Sequence, residues 1–250
     1  MFPTDATEII RIVSEFKNKF SAGFDEIPLH ILKSSIVHVA EPISRLINSS
    51  FSGGIFPNNL KIAKVCPIYK SGDKRLFSNY RPISVLPSFS KIYEKAVAKR
   101  LLSFLDINSI LIDNQYGFRP NHSTYMALLQ MYDKISTSMD LNLFSVGIFI
   151  DLSKAFDTLN HSILIKKCEY YGVRGITLEW FKNYLTGRKQ YVFLNSSSSS
   201  LSEVNCGVPQ GSVLGPLLSL YNLTISLIVQ SCLNSFCLLM IQIYSIATTI

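Results

Sequence analysis

The chain reads as an α+β fold on three observations. Segments of helical and of strand-like apolar period are mixed along it without regular strand–helix–strand alternation. With 250 residues, 48% of them hydrophobic, it is long enough to bury a core of its own, as one large domain or two small ones. No internal repeat is visible, which leaves solenoid architectures without support.

Taken in order, the first helix is expected from about Thr4 to Phe20. There Ile9, Ile12, Val13, Phe16 and Phe20 form one stripe, and Asp5 and Glu8 stand near the positive end of the helix dipole. Further helices are expected near Ile31 to Ser50, Ser90 to Leu105, Ser123 to Ser138, His161 to Tyr171 and Ile176 to Leu185, with Gly172 and Gly187 placed to close the last two. Strands are expected at Lys64 to Tyr69, at Phe144 to Asp151, and at Gln190 to Leu194. A serine-rich tip, Ser196 to Ser200, then turns the chain into a return strand near Glu203 to Cys206.

The net charge of +7 and pI of about 9.1 point to a polyanionic partner, because clustered cations bind phosphates by releasing condensed counterions. The charge is concentrated. Ten Lys or Arg lie between Lys61 and Arg100 against only Asp73 and Glu94, with Tyr69, Phe77 and Tyr80 interleaved as stacking surfaces. A solvated face on ordinary helices is the plainer account of the same residues. Five cysteines form no CxxC pair, and four histidines stand at no metal-ligand spacing, so reduced thiols inside a cell are expected. The start lacks the basic and apolar regions of a secretory signal.

The sharpest chemical signal is Phe149-Ile150-Asp151-Leu152-Ser153-Lys154-Ala155-Phe156-Asp157. A short apolar strand, Val146 to Ile150, delivers Asp151 to its end, where a carboxylate can reach the edge of a cleft. Two-metal phosphoryl transfer needs carboxylates held rigidly in such a place. A helix cap or turn is the bland alternative for Asp151. A second string, Gly207-Val208-Pro209-Gln210-Gly211-Ser212-Val213-Leu214-Gly215-Pro216-Leu217, carries glycines that permit close backbone approach and a two-headed amide at Gln210. Three others precede them: Pro67-Ile68-Tyr69-Lys70-Ser71-Gly72-Asp73, Asn79-Tyr80-Arg81-Pro82-Ile83-Ser84, and Tyr116-Gly117-Phe118-Arg119-Pro120-Asn121-His122-Ser123-Thr124.

In this order the five strings resemble reverse transcriptases of non-LTR (LINE-type) retrotransposons, especially jockey-like elements. The resemblance runs from about Glu8 to Leu218. It implies right-hand polymerase fingers and a partial palm, with an antiparallel palm sheet packed on helices and the thumb absent. Fingers and an N-terminal extension would occupy residues 1–143, and the palm with motifs A and B residues 144–218. Asp151 would be the catalytic, metal-binding carboxylate of motif A, for Mg2+ or Mn2+. Phe156 would pack under the incoming sugar and exclude a ribose 2′-hydroxyl, although ordinary core packing would suit the same ring. Gln210 and Gly211 of motif B would meet the nucleotide, and Gly207 and Pro209 the template or primer. Lys70 and Arg81 would grip the triphosphate, since cations there offset charge growing during transfer. Arg119 would meet the template backbone. The implied partners are an RNA template, a DNA primer or target, and dNTPs, with no small-molecule cofactor, in the cytoplasm and nucleus.

The match breaks after motif B. Such enzymes continue to a Phe or Tyr, Ala, Asp, Asp hairpin that supplies the other metal carboxylates, whereas this sequence has no Asp or Glu beyond Glu203. From Val204 to Ile250 there is no charged residue at all. A membrane span is a poor explanation, because Asn222, Thr224, Gln230, Ser231, Asn234, Ser235 and Gln242 interrupt the roughly 18 to 20 apolar residues a span needs. A lost nucleotide explains the absence better. Reading each codon's last base with the first two of the next, the junction of Met240 and Ile241 must give GAT, an Asp. Permitted codons around it, from Cys237 to Ile243, allow Phe, Ala, Asp, Asp, Thr, Asn, Ile. Residues 219–250 are therefore expected to be an aberrant, frame-shifted apolar tail, and the chain to be catalytically defective. A non-catalytic nucleic-acid-binding remnant is the alternative function.

Overall fold

The computed structural model describes residues 1–111, 115–119, 121–146 and 156–221. Helix α1 (Ala6–Glu15) opens with Asp5, whose side chain accepts the N–H of Glu8, and buries Ile9, Ile12 and Val13 completely. Each such side chain contributes roughly 1.5–3 kcal/mol. The helix ends at Phe16, where the backbone turns extended, so the expected stripe is cut short and Phe20 stands in solvent. Helix α2 (Leu29–Gly53) lays Leu32, Ile36, Ala40, Ile43 and Ile47 along one buried side at helical spacing. Helices α3 (Ser88–Ile107), α5 (His161–Tyr170) and α6 (Gly175–Leu185) and the helical residues 214–221 add to the core. Its centre is aromatic. Phe51, Phe56, Trp180 and Tyr184 meet edge-on or stacked, and the Trp180 indole N–H is satisfied by Ser50 Oγ at 2.9 Å.

Helix α4 (Thr124–Asp140) differs: Ser123 caps it, its Oγ accepting the Met126 N–H, yet none of its residues is buried among the described atoms. Among the described residues no helix is long and apolar enough to cross a membrane.

One sheet is described, in the order β2 (Tyr80–Val85), β1 (Ile62–Tyr69), β3 (Arg188–Leu194), with β4 (Ser197–Ser198) and β5 (Ser202–Val204) along the far edge of β3. The serine-rich hairpin is present but tighter than expected. Asn195 and Ser196, both at positive φ, make the turn, and Ser197 is already in the return strand. Strand β2 has no counterpart among the expected strands, because Pro82 interrupts its apolar pattern.

The described sheet as a whole is mixed: β1 runs antiparallel to β2 but parallel to β3, while within residues 144–218, where an antiparallel palm sheet is expected, the described pairs β3–β4 and β3–β5 are antiparallel. The described part of the connection from β1 to β3 takes in β2 and four helices and is not a tight turn, so no hairpin geometry forces them antiparallel. The expected strand Phe144 to Asp151 lies largely outside the described residues, and with it Asp151. The same holds for the tail beyond residue 221.

Candidate nucleotide and template site

The site grows from an open sheet edge. The Lys70 N–H bonds the Asn79 carbonyl, which sets the hydrogen-bonded pairs of the β1–β2 ladder at alternate residues. Pro67 and Pro82, directly opposite one another, therefore fall at a position where neither lacks a needed N–H. By the same alternation the Ser84 N–H points away from β1, out of the free edge of β2. There it donates to the Gln210 carbonyl at 2.8 Å. The loop that sequence reading assigns to motif B is thus hydrogen-bonded to β2, which carries one of the upstream strings.

Two glycines permit this docking. A Cβ on Gly211, where φ is +122°, would lie 2.5 Å from the Ser84 carbonyl oxygen. On Gly207, at φ +79°, it would lie 2.7 to 2.8 Å from backbone atoms of Asp157 and Phe156. The close approach these glycines allow is to the protein's own backbone, a use that the sequence did not disclose. Gly207 N–H donates to Leu159 O and Val208 N–H to Phe156 O, both at 2.8 Å. His161 Nε2 donates to Gly207 O at 2.7 Å. The end of motif A and the start of motif B, some fifty residues apart in sequence, form one hydrogen-bonded wall.

Side chains complete it. Gln210 Nε2 donates to both carboxylate oxygens of Asp157, at 3.0 and 3.1 Å. Phe156 is partly buried and packs against the core. Behind the loop, Glu94 of α3 is fully buried. Its Oε2 accepts the N–H groups of Val213 (2.6 Å) and Leu214 (3.3 Å), the first donors of the helix over residues 214–221, and its Oε1 accepts from Ser90 Oγ and Tyr184 OH. A carboxylate from another helix caps this one and shields its positive end. Burial pushes the Glu94 carboxyl above its usual range, against the opposing pull of the Arg188 charge and the two amides. Burial likewise raises the Tyr184 phenol, with the neighbouring Glu94 adding to the effect.

The remaining expected site residues are distributed as follows. Arg81 lies opposite Ile68 in the β1–β2 ladder, and Lys70, two residues beyond Ile68, falls on the same face by strand alternation. Both are exposed. Arg81 stands three residues, about 10 Å, along β2 from the docking point at Ser84. Arg119 forms an ion pair with Asp106 of α3 at 3.7 Å. Pro209 is part of the docked loop and accepts from Ser212 N–H and Oγ–H. Phe156, Gly207, Pro209, Gln210 and Gly211 are therefore gathered together, with Arg81 along the same strand. Sequence reasoning assigned no role to Asp157, His161, Ser84 or Glu94. The available signal for Glu94 was its isolation as one of two acids in a basic stretch, on the apolar side of a helix.

Among the described residues no three His, Cys, Asp or Glu side chains converge as a metal site would require, and of the two carboxylates bonded to the loop, Asp157 is engaged by Gln210 and Glu94 by the Val213 and Leu214 amides. The described side chains therefore do not make up the donor set of a two-metal centre.

Comparison with known proteins decides the family. The model of the reverse transcriptase (RNA-dependent DNA polymerase) family matches residues 68–245. The chain belongs to the reverse transcriptase family. The matched span takes in β1 from Ile68 onward, β2, the Phe156–Asp157 segment and the motif B loop, and reaches into the uncharged stretch after residue 218. Among relatives, the chain is 34% identical over 223 residues to the "Probable RNA-directed DNA polymerase from transposon BS" of Drosophila melanogaster, a match covering 86% of this reverse transcriptase chain and 24% of that protein. It is 33% identical to the "Probable RNA-directed DNA polymerase from transposon X-element" of the same fly, with the same coverage. To the "RNA-directed DNA polymerase from mobile element jockey" it is 30% identical, over 84% of this chain and 23% of that one. The chain thus spans about a quarter of the length of these relatives, and its likeness to non-LTR, jockey-like polymerases agrees with the motif reading.

Proposed function

We propose that the chain supplies the nucleotide- and template-facing wall of a retrotransposon RNA-directed DNA polymerase, acting in RNA-templated DNA synthesis at a nicked target. Its substrates are an RNA template, a DNA primer and dNTPs. The single observation that carries this reading is the fusion of Phe156–Asp157 to the motif B loop through Val208 N–H to Phe156 O, with that loop docked on β2. Such a wall holds an aromatic ring and a two-headed amide in fixed relation, as selection of a deoxynucleotide against a base pair demands. Phe156 sets the sugar pocket, Gln210 and Gly211 face the nucleotide, and Gly207 and Pro209 lie toward template or primer. Lys70 and Arg81, on one exposed face of the β1–β2 hairpin, are the cations for the triphosphate, and Arg119 meets the template backbone. In this reading residues 1–143 are the fingers with an N-terminal extension and residues 144–218 the palm.

We further propose that this copy is catalytically defective. Two divalent ions, Mg2+ or Mn2+, need about three carboxylates or equivalent oxygens, and Asp151 alone cannot hold both. No acidic residue follows Glu203. The out-of-frame origin of residues 219–250 accounts for this, while the family match continuing to residue 245 weighs against it. The nucleotide sequence decides the origin: codons incompatible with Phe-Ala-Asp-Asp in the shifted frame exclude it. For the activity, the purified chain is incubated with primed poly(rA), dTTP and Mg2+ or Mn2+. Negligible extension is expected, and robust extension abolished by Asp151→Asn refutes the proposed defect.

The alternative reading, a nucleic-acid-binding remnant without chemistry, is favoured by the exposed basic hairpin that bears Lys70, Lys74, Arg75 and Arg81 with the paired rings of Tyr69 and Tyr80. Salt-dependent RNA affinity without nucleotide incorporation distinguishes it.

A further inference from the structure

We propose that Asp157 is a positioning residue that fixes the polarity of Gln210, so that the Gln210 amide offers the bound nucleotide an acceptor and never a donor. The inference rests on the reading of Gln210 as a nucleotide contact and adds the chemistry of that contact. A glutamine amide has two ends, NH2 and C=O, of opposite hydrogen-bonding sense and nearly equal shape, and an unconstrained side chain can present either. Here Gln210 Nε2 lies 3.0 and 3.1 Å from the two oxygens of Asp157. The flipped amide would set a carbonyl oxygen against a carboxylate at the same distances, two acceptors without a proton between them. That arrangement is repulsive, so the orientation is determined.

Neither side chain can relax by moving its backbone. The Gln210 carbonyl is held by Ser84 N–H, and the Asp157 segment is clamped by the Val208 and Gly207 amides on either side of it. Gly207 packs directly on the Asp157 Cα. The amide plane is thereby set from both ends, with Oε1 on the opposite side of Cδ from the carboxylate, and among the described residues Oε1 has no hydrogen-bond partner. The group it meets must be an O–H or N–H of the nucleotide. A phosphate oxygen, an acceptor only, is excluded from this point and falls to the cations of the hairpin.

An exchange of the two partners tests this with the full chain. Asp157→Asn lets the amide pair form in either orientation and is expected to weaken dTTP binding about tenfold, the scale of one hydrogen bond to a charged group. Gln210→Glu, which opposes two carboxylates, weakens it at least as much. The double variant Asp157→Asn with Gln210→Glu restores a donor-to-carboxylate bond and an outward acceptor oxygen, and is expected to recover affinity to within about threefold of the original. A single variant that binds as the original does, or a double variant no better than the weaker single one, overturns the proposal.

Independent of nucleotide, the Gln210 side-chain NH2 resonances of the 15N-labelled chain, identified by their loss in Gln210→Glu, should be slow to exchange in the original and fast in Asp157→Ala. Equal exchange overturns the latch even where every variant remains folded. If the original chain binds no dTTP while these resonances are protected, the nucleotide reading fails and the latch stands.

Discussion

Replacing Gly211 by alanine probes the docking of the motif B loop on the sheet. The added Cβ would sit 2.5 Å from the Ser84 carbonyl oxygen, an atom fixed in β2, and the residue would have to keep φ near +122°, which L-residues rarely adopt. Backbone strain of that kind costs about 1–3 kcal/mol. Relief requires the loop to lift by several tenths of an ångström, which stretches the bond from Ser84 N–H to Gln210 O and leaves a buried donor poorly paired, at about 1–3 kcal/mol more. A total of about 2–6 kcal/mol is expected. Gly175→Ala is the control, because it also has positive φ, +59°, but meets nothing within 4 Å. It should cost only about 1 kcal/mol. Urea unfolding of both variants, followed by far-UV circular dichroism, measures the difference. If Gly211→Ala falls within about 1 kcal/mol of Gly175→Ala, the loop is not seated on β2 as described.

Two glutamates should show opposite pH signatures. The raised carboxyl of Glu94 binds protons more tightly in the folded chain than its ordinary value of 4.5 allows, so its contribution is present below that value and declines as pH rises toward the folded value. The stability of the original relative to Glu94→Gln should therefore fall with rising pH across that interval, as chemical denaturation at several pH values would show. For Glu8, burial alone would raise the carboxyl, but hydrogen bonds from Arg100 and Thr4 and the Arg100 charge override it and hold it low. The advantage over Glu8→Gln should be present above pH 4.5 and vanish as pH falls through the lowered value; an unchanged difference would contradict the pairing. Burial pushes the Cys168 thiol up to about 12, whereas Cys206 is exposed. Iodoacetamide at neutral pH with peptide mapping should label Cys206 well before Cys168, and equal labelling would show that α5 is not packed as described.

Helices were legible where one face alone is apolar and a cap precedes it. Asp5 before Ile9, Ile12 and Val13, and Ser123 before α4, announce their elements because capping and period are local properties. The truncation of α1 at Phe16 was not legible, since Phe20 keeps the helical spacing but has no core to face. Among site residues, Phe156, Gln210 and the two glycines were found by motif. Asp157 and Ser84 were passed over because their partners, Gln210 and its carbonyl, are distant in sequence and no local period encodes them. Glu94 was hidden for a different reason: in a list of charges it reads as a solvated acid, and only the helix start brought beside it by the fold makes it a cap.

The parallel seam between β1 and β3 bears on how the chain is made. Strand β1 is synthesised long before β3, and the contacts that fasten its surroundings are equally remote: Phe56 N–H to Asn183 spans 127 residues and Val213 N–H to Glu94 spans 119. A nascent chain on the ribosome therefore carries the edge of β1 unpaired for several seconds at ordinary elongation rates of about 5–20 residues per second. During that interval Ile62 to Val65 is an open template for any other strand, so chaperone capture should concentrate on this hairpin.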